Sequence, residues 1–365
     1  MLKKITVCFI FTGLTITASS QETDTLGGGA VDDATMDSLG LVNPQVLKKY
    51  NQGVKALTAK KYMEAVQEFT EVLLMDKSYV NAYFNRGKAF RGLGKTEEAI
   101  KDFEKTFLMD PSNDEAAYLK GAVLMDDGKY NEAVAAFDIA SGLNKSNELY
   151  PYYQGVAEFQ MGNYDAAIKA YTEAIKRKPD YAYAYNDRGS AKMQLEDYDA
   201  AIEDYKKAVK YDNYLSFAYN NLGSAYREKK DYANAEKYYT EALKRDPKYA
   251  VAYNNRGTAR YAQEKYDQAL SDYSKAIEIK PDYAFAYNNK ASVFIKKENY
   301  KEAVSNCDKA IELDPEFMEA FLNRGIAKEM LKDLDGACAD WEDAFILGSE
   351  NAEQYVNGPA CGEKK

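Results

Sequence analysis

The sequence contains no histidine, one tryptophan, four cysteines and eight prolines in 365 residues. Without histidine the chain loses the usual general base, the usual partner of a serine or cysteine nucleophile, and the commonest zinc ligand. So few prolines and cysteines exclude collagen-like, low-complexity and small disulfide-scaffold classes. Asp and Glu are scattered over helical surfaces, where solvation accounts for them, so no catalytic residue is expected. No stretch beyond the N-terminus is apolar for long enough to span a bilayer. What the chain has in excess is tyrosine, 32 residues, with 46% hydrophobic and 29% charged residues overall.

Residues 1–20 read as a secretory signal: a basic start at Lys3 and Lys4, an apolar run from Ile5 to Thr17, and small residues Ala18, Ser19 and Ser20 before Gln21. An uncleaved N-terminal anchor is the rival reading, and either one exports the remainder. Cys8 lies in the middle of the apolar run, which disfavours a lipoprotein. Removing the segment leaves 46 basic against 58 acidic side chains, a formal charge of −12. That balance argues against nucleic acid and anionic lipid as partners. Residues 21–45, with Gly27-Gly28-Gly29 and few large apolar side chains, read as a flexible linker.

Self-comparison then succeeds at a period of 34 residues. Glycine recurs at Gly53, Gly87, Gly121, Gly155, Gly189, Gly223 and Gly257, gives way to Ala291, and returns at Gly325. Alanine follows twelve residues later, from Ala65 through Ala337 without a slip, and four residues beyond it stands a large side chain. That last series runs Phe69, Phe103, Phe137, Tyr171, Tyr205, Tyr239, Tyr273, then Cys307 and Trp341. Nine such repeats fill residues 46–351, each predicted to be two amphipathic helices, with residues 352–365 a cap and tail. The recurrent glycine is expected where helix backbones approach closely.

With Tyr253, Gly257, Ala269, Tyr273, Ala276 and Pro281 at signature positions of repeat 7, the chain resembles the tetratricopeptide repeat (TPR) family, exported bacterial type. The resemblance implies an all-α fold, a right-handed α-solenoid superhelix of nine tandem helix pairs whose first helices line a concave groove. It also implies binding of protein or peptide, with no cofactor and no enzymatic activity.

Comparing repeats with one another exposes two further patterns. Arginine precedes the repeat glycine at Arg86, Arg188, Arg256 and Arg324, and in those repeats alone an aspartate stands sixteen residues later: Asp102, Asp204, Asp272 and Asp340. Four structural Arg–Asp bridges are expected. Two residues before the glycine stands Asn51, Asn85, Asp187, Asn221, Asn255, Asn289 or Asn323, with Leu119 and Tyr153 interrupting. An amide row can bond an extended peptide's backbone with little demand on its sequence, and it resembles the asparagine ladder of O-linked N-acetylglucosamine transferases. A surface amide that merely caps or solvates is the alternative. Tyr183, Phe217 and Phe285 either flank the ladder or pack between repeats. The carboxylate clamp of chaperone-binding relatives is not matched, because repeats 5 to 8 carry Asn186, Asn220, Asn254 and Asn288 with Ser190, Ser224, Thr258 and Ser292.

Cys307 occupies a core position. Cys338 in the last second helix and Cys361 in the tail are expected to pin the cap by a disulfide in an exported chain, an ending that resembles exported bacterial proteins with these repeats. No cysteine pair has metal-ligand spacing. The expected protein is an exported scaffold, periplasmic or secreted, that holds a partner segment in its groove. The alternatives are a substrate-presenting subunit of an envelope enzyme and a spacer using its convex surface.

Overall fold

The computed structural model describes residues 43–358 and Cys361, so the signal segment and the linker up to residue 42 lie outside it. It divides into an N-terminal body ending at Lys129 and a C-terminal body beginning at Tyr130. The first contains α1 (Pro44–Thr58), α2 (Tyr62–Met75), α3 (Val80–Gly92), α4 (Thr96–Met109) and α5 (Asp114–Asp126). The second opens with α6 (Tyr130–Leu143), α7 (Leu149–Gln160), α8 (Tyr164–Arg177), α9 (Ala182–Gln194), α10 (Tyr198–Tyr211) and α11 (Ser216–Glu228). It continues with α12 (Tyr232–Arg245), α13 (Ala250–Ala262), α14 (Tyr266–Ile279), α15 (Ala284–Lys296), α16 (Tyr300–Leu313), α17 (Met318–Met330), α18 (Leu334–Ile346) and α19 (Glu350–Val356). Among the described residues there is no strand. No described helix is long and apolar enough to cross a membrane.

Two boundaries differ from the sequence reading. Asn43 accepts from the Gln45 amide and Pro44 opens α1, so residues 44 and 45 belong to the first repeat and not to the linker. The cap α19 starts at Glu350, two residues ahead of the expected Ala352. Each first helix of the repeats ends on a left-handed residue whose successor's amide closes back onto the last turn, as Lys95 does on the Phe90 carbonyl. Glycine fills that position at Gly94 and Gly162, whereas Glu196, Lys230 and Glu264 hold it without a glycine's freedom.

The repeat glycine has a different cause from the expected backbone approach. A methyl group placed on Gly189 would lie 2.9 Å from the Tyr205 ring, and on Gly257 2.7 Å from the Tyr273 ring. In each case the second helix lays an aromatic ring flat on the first, and only hydrogen leaves room for it. Repeat 8 exchanges both partners: Ala291 replaces the glycine and Cys307, fully buried, replaces the ring. The small thiol leaves room for a methyl that a ring would exclude, which ties together two departures from the pattern that stand sixteen residues apart.

Within the C-terminal body, consecutive first helices touch one another, α9 with α11, α11 with α13, α13 with α15 and α15 with α17. Consecutive second helices stand further apart. The stack therefore bends toward its first helices, whose outward faces line the inside of the curve.

Gly189→Ala is expected to destabilise the protein by about 1–3 kcal/mol, the cost of overpacking, despite the gain in helix propensity. Ala291→Gly, which only removes a methyl beside Cys307, is expected to cost about 1 kcal/mol. Denaturant unfolding of both variants checks the contrast; a Gly189→Ala variant as stable as the parent would remove the ring-seat explanation.

Candidate functional site

The ladder residues lie on the first helices, Asn85 buried and Asp187, Asn221, Asn255, Asn289 and Asn323 half-buried, and the structure gives them a role the repeat pattern did not disclose. Asn221 Nδ2 donates to Asn186 Oδ1 at 3.1 Å, Asn255 to Asn220 at 3.0 Å, Asn289 to Asn254 at 2.9 Å and Asn323 to Asn288 at 2.8 Å. Each bond joins one repeat to the one before it. Asn186, Asn220, Asn254 and Asn288 are buried, and they are the members that sequence reasoning left without a role. Adjacent asparagines recurring in three consecutive repeats, after Asn186-Asp187 in the one before, were the available signal.

The partner's chemistry follows the same register in the N-terminal body and at the start of the row. Asn85 Nδ2 donates to the Tyr50 hydroxyl at 2.8 Å. The Tyr152 hydroxyl donates to Asp187 Oδ2 at 2.8 Å, while Asn186 Nδ2 donates to Asp187 Oδ1 at 2.9 Å. Leu119, which interrupts the series, packs in one apolar cluster with Phe84, the residue that stands where a polar partner would. A polar rung thus occurs where both of its members are polar, as an unpaired buried amide would cost about 1–3 kcal/mol.

After the rung is made, half of each amide pair is left over. Asn221, Asn255 and Asn289 have no partner on Oδ1 among the described residues, and Asn220, Asn254 and Asn288 have none on Nδ2. None of these atoms is among the buried polar groups lacking a bond, so they reach the surface. The rungs of Asn220 with Asn255 and of Asn254 with Asn289 therefore each leave one acceptor and one donor at the surface, the complement of an extended backbone. Tyr183 is 45% exposed, with its ring 5.9 Å from Phe217, and Phe285 lies 4.8 Å from Phe317. These aromatics both pack between repeats and edge the inner face.

The four arginines grip their aspartates through two bonds each. Arg86 reaches Asp102 at 2.8 and 2.9 Å, Arg188 reaches Asp204 at 2.8 and 2.7 Å, and both Arg256–Asp272 and Arg324–Asp340 span 3.0 and 2.7 Å. The third nitrogen extends to the preceding repeat's second helix, to Thr70, Thr172, Thr240 or Asp308. A second cation joins Asp204, Asp272 and Asp340 through Lys192, Arg260 and Lys328. Asp102 has Phe90 in that place and one cation only; burial raises its carboxyl although Arg86 opposes the shift. Repeat 6 has an apolar counterpart, Leu222 and Tyr238. These pairs hold the helices of one repeat to each other and to the repeat before.

At the C-terminal end Cys338 and Cys361 form a disulfide with Cα atoms 5.7 Å apart, and Tyr355 of α19 stacks on Trp341 at 4.6 Å. Cys307 is a buried free thiol pushed up to about 12 by burial, far from reactive thiolate chemistry. Among the described residues no group of three or more metal-ligating side chains converges.

Family models described as tetratricopeptide repeat match residues 50–106 and 152–216, 214–282, and 284–317, more than half of the chain together. A model for subunit 3 of the anaphase-promoting complex, cyclosome, matches residues 92–174. No curated protein sequence matches. Among solved structures, MamA is 30% identical, with 44% of this chain and 94% of that one aligned at a TM-score of 0.42. A tetratricopeptide repeat protein from Parabacteroides merdae is 18% identical over 70% of this chain and 98% of that one, TM-score 0.53. The Cut9–Hcn1 hetero-tetramer is 19% identical over 82% of this chain and 59% of that one, TM-score 0.52. The last two speak for the fold alone, an all-α solenoid of tandem helix pairs.

Two outcomes follow from this geometry. Burial pushes the Asp187 carboxyl up to about 6, against the Tyr152 and Asn186 bonds that act to lower it. The hydroxyls facing it from Tyr152, Tyr171 and Tyr181 are pushed upward, chiefly by burial, and stay neutral in this range. A carboxyl that holds its proton more tightly folded than unfolded makes stability fall as pH rises from 3.8 to about 6. Asp187→Asn is therefore expected to stabilise by up to about 3 kcal/mol at pH 8 and to be near neutral at pH 4, read by thermal melts at both. Separately, Asp272→Ala strands Arg256 and is expected to cost about 3–5 kcal/mol. Transplanting repeat 6's pair, Arg256→Leu with Asp272→Tyr, is expected to recover most of that in urea unfolding.

Proposed function

Because the chain belongs to the tetratricopeptide repeat family, we propose that it is a non-enzymatic scaffold whose C-terminal body binds an extended segment of a partner protein along its inner face. The observation that carries this reading is the run of four amide rungs from Asn186 to Asn323, in which Asn255 and Asn289 keep an acceptor and Asn220 and Asn254 a donor. Backbone pairing supplies affinity without reading side chains, so the bound segment is extended and tolerant in sequence. The rungs brace the scaffold in the same stroke, which fixes their spacing before any ligand arrives.

We place the protein outside the cytoplasm, in the periplasm or secreted. The signal-like residues 1–20 and the Cys338–Cys361 disulfide support this, since disulfides persist in oxidising compartments. Fractionation followed by non-reducing electrophoresis reads both features at once.

Binding is tested by fluorescence anisotropy with extended, uncharged peptides and the same peptides N-methylated at alternate residues. Unmodified peptides are expected to bind, with N-methylation weakening them at least about tenfold, the loss of two or more backbone bonds. The variant Asn221→Ala, Asn255→Ala, Asn289→Ala is expected to lose the same affinity while circular dichroism reports a folded chain. Equal affinity for methylated and unmodified peptides would sink the backbone-ladder reading.

A further inference from the structure

The ladder of the C-terminal body carries a single anion. Asp187 stands where the next four repeats have Asn221, Asn255, Asn289 and Asn323. No lysine or arginine among the described residues pairs with it: Arg188 and Lys192 both bind Asp204, and Lys178 binds Glu148 while lying over the Tyr181 ring. Nor does the brace require a charge. Tyr50 and Tyr152 occupy the same place in their repeats, and Asn85 meets Tyr50 at the same 2.8 Å that Asp187 keeps from Tyr152. A half-buried carboxylate without a counter-charge is costly, so repeat 5 keeps an anion its scaffold can do without.

The surroundings indicate what would meet that charge. Tyr183 precedes Asp187 by one turn on the same face of α9, with its ring 6.4 Å from Tyr181 and 5.9 Å from Phe217. Burial raises the Tyr183 hydroxyl, and the nearby Asp212 and Asp187 carboxylates raise it further, so this aromatic edge lies in a negative field. An aromatic face beside an uncompensated carboxylate suits an ammonium or guanidinium group, through ion pairing and cation–π attraction together.

We propose that Asp187, Tyr183 and Phe217 form a pocket for one basic side chain, lysine or arginine, of the extended peptide lying along the inner face. This rests on the peptide-binding reading above and adds to it. Neutral rungs hold the peptide backbone at any register, and the single anion selects the register that places a basic residue over repeat 5.

The test uses N-acetylated, uncharged extended peptides of about twelve residues, differing only at one central position: lysine, norleucine or glutamate. The chain from Gln21 onward and its Asp187→Asn variant are titrated with each. The parent is expected to bind the lysine peptide about tenfold more tightly than the norleucine peptide, and the glutamate peptide more weakly than either. Asp187→Asn, whose fold has a precedent in Asn85 on Tyr50, is expected to bind the lysine and norleucine peptides alike, at the parent's norleucine affinity. Tyr183→Ala is expected to reduce the lysine preference severalfold with the charge in place. Equal binding of lysine and norleucine peptides by the parent, or a preference that survives Asp187→Asn, would overturn the pocket and leave the backbone ladder standing. Failure of the parent to bind any of the three would overturn both.

Discussion

The seat of an aromatic ring on a glycine organises every complete pair in which both are present. A helix pair cannot bury its apolar face alone, and the distance between its two axes is set by what stands at their crossing. Gly189 against Tyr205 and Gly257 against Tyr273 bring a ring into direct contact with the first helix's backbone. That leaves the rest of both helices free to pack against the neighbouring repeats. Repeat 8 has neither member, with alanine on the first helix and the smaller cysteine on the second. A side chain on the first helix is thus excluded only where the second helix carries a ring.

Around that seat most polar groups have a partner of matching chemistry at a fixed offset, Trp341 Nε1 being a buried exception. The Ser190 and Tyr205 hydroxyls lie 3.1 Å apart, as do those of Ser224 and Tyr239, while the Tyr273 hydroxyl donates to Thr258. Arg–Asp forks occupy the crossing in four repeats, and an apolar pair serves in another. Amide rungs continue from repeat to repeat as long as both positions stay polar. Burying such groups is costly unless both ends of each bond are present, which is why they appear and disappear in pairs.

The proposed function draws on what this bracing leaves over. The Arg–Asp forks bind each carboxylate through both oxygens and spend their bonds on the scaffold. The amide rungs are open, since an amide has more donors and acceptors than one neighbour can satisfy. A row of neutral, half-satisfied amides fits a backbone, and one uncompensated carboxylate at its beginning gives that row a direction. In the proposed binding mode, affinity and selectivity fall to different residues of the same helices.

The number of repeats, their helical pairing and the Arg–Asp forks were legible in the sequence, because period and pairwise co-occurrence are properties of order along the chain. Nine copies of a unit serve as one another's alignment, so Arg86 with Asp102 could be matched without coordinates. The cause of the repeat glycine was not legible, since close backbones and a seated ring leave the same letter in the sequence. Nor was the role of Asn186, Asn220, Asn254 and Asn288. Their bonds run to asparagines 35 residues away on a neighbouring helix, and only packing of repeat on repeat brings those amides within 3.1 Å. The same packing decides that Asp187 meets Tyr152 and no cation, which turns an interruption in a row of asparagines into its one charged position.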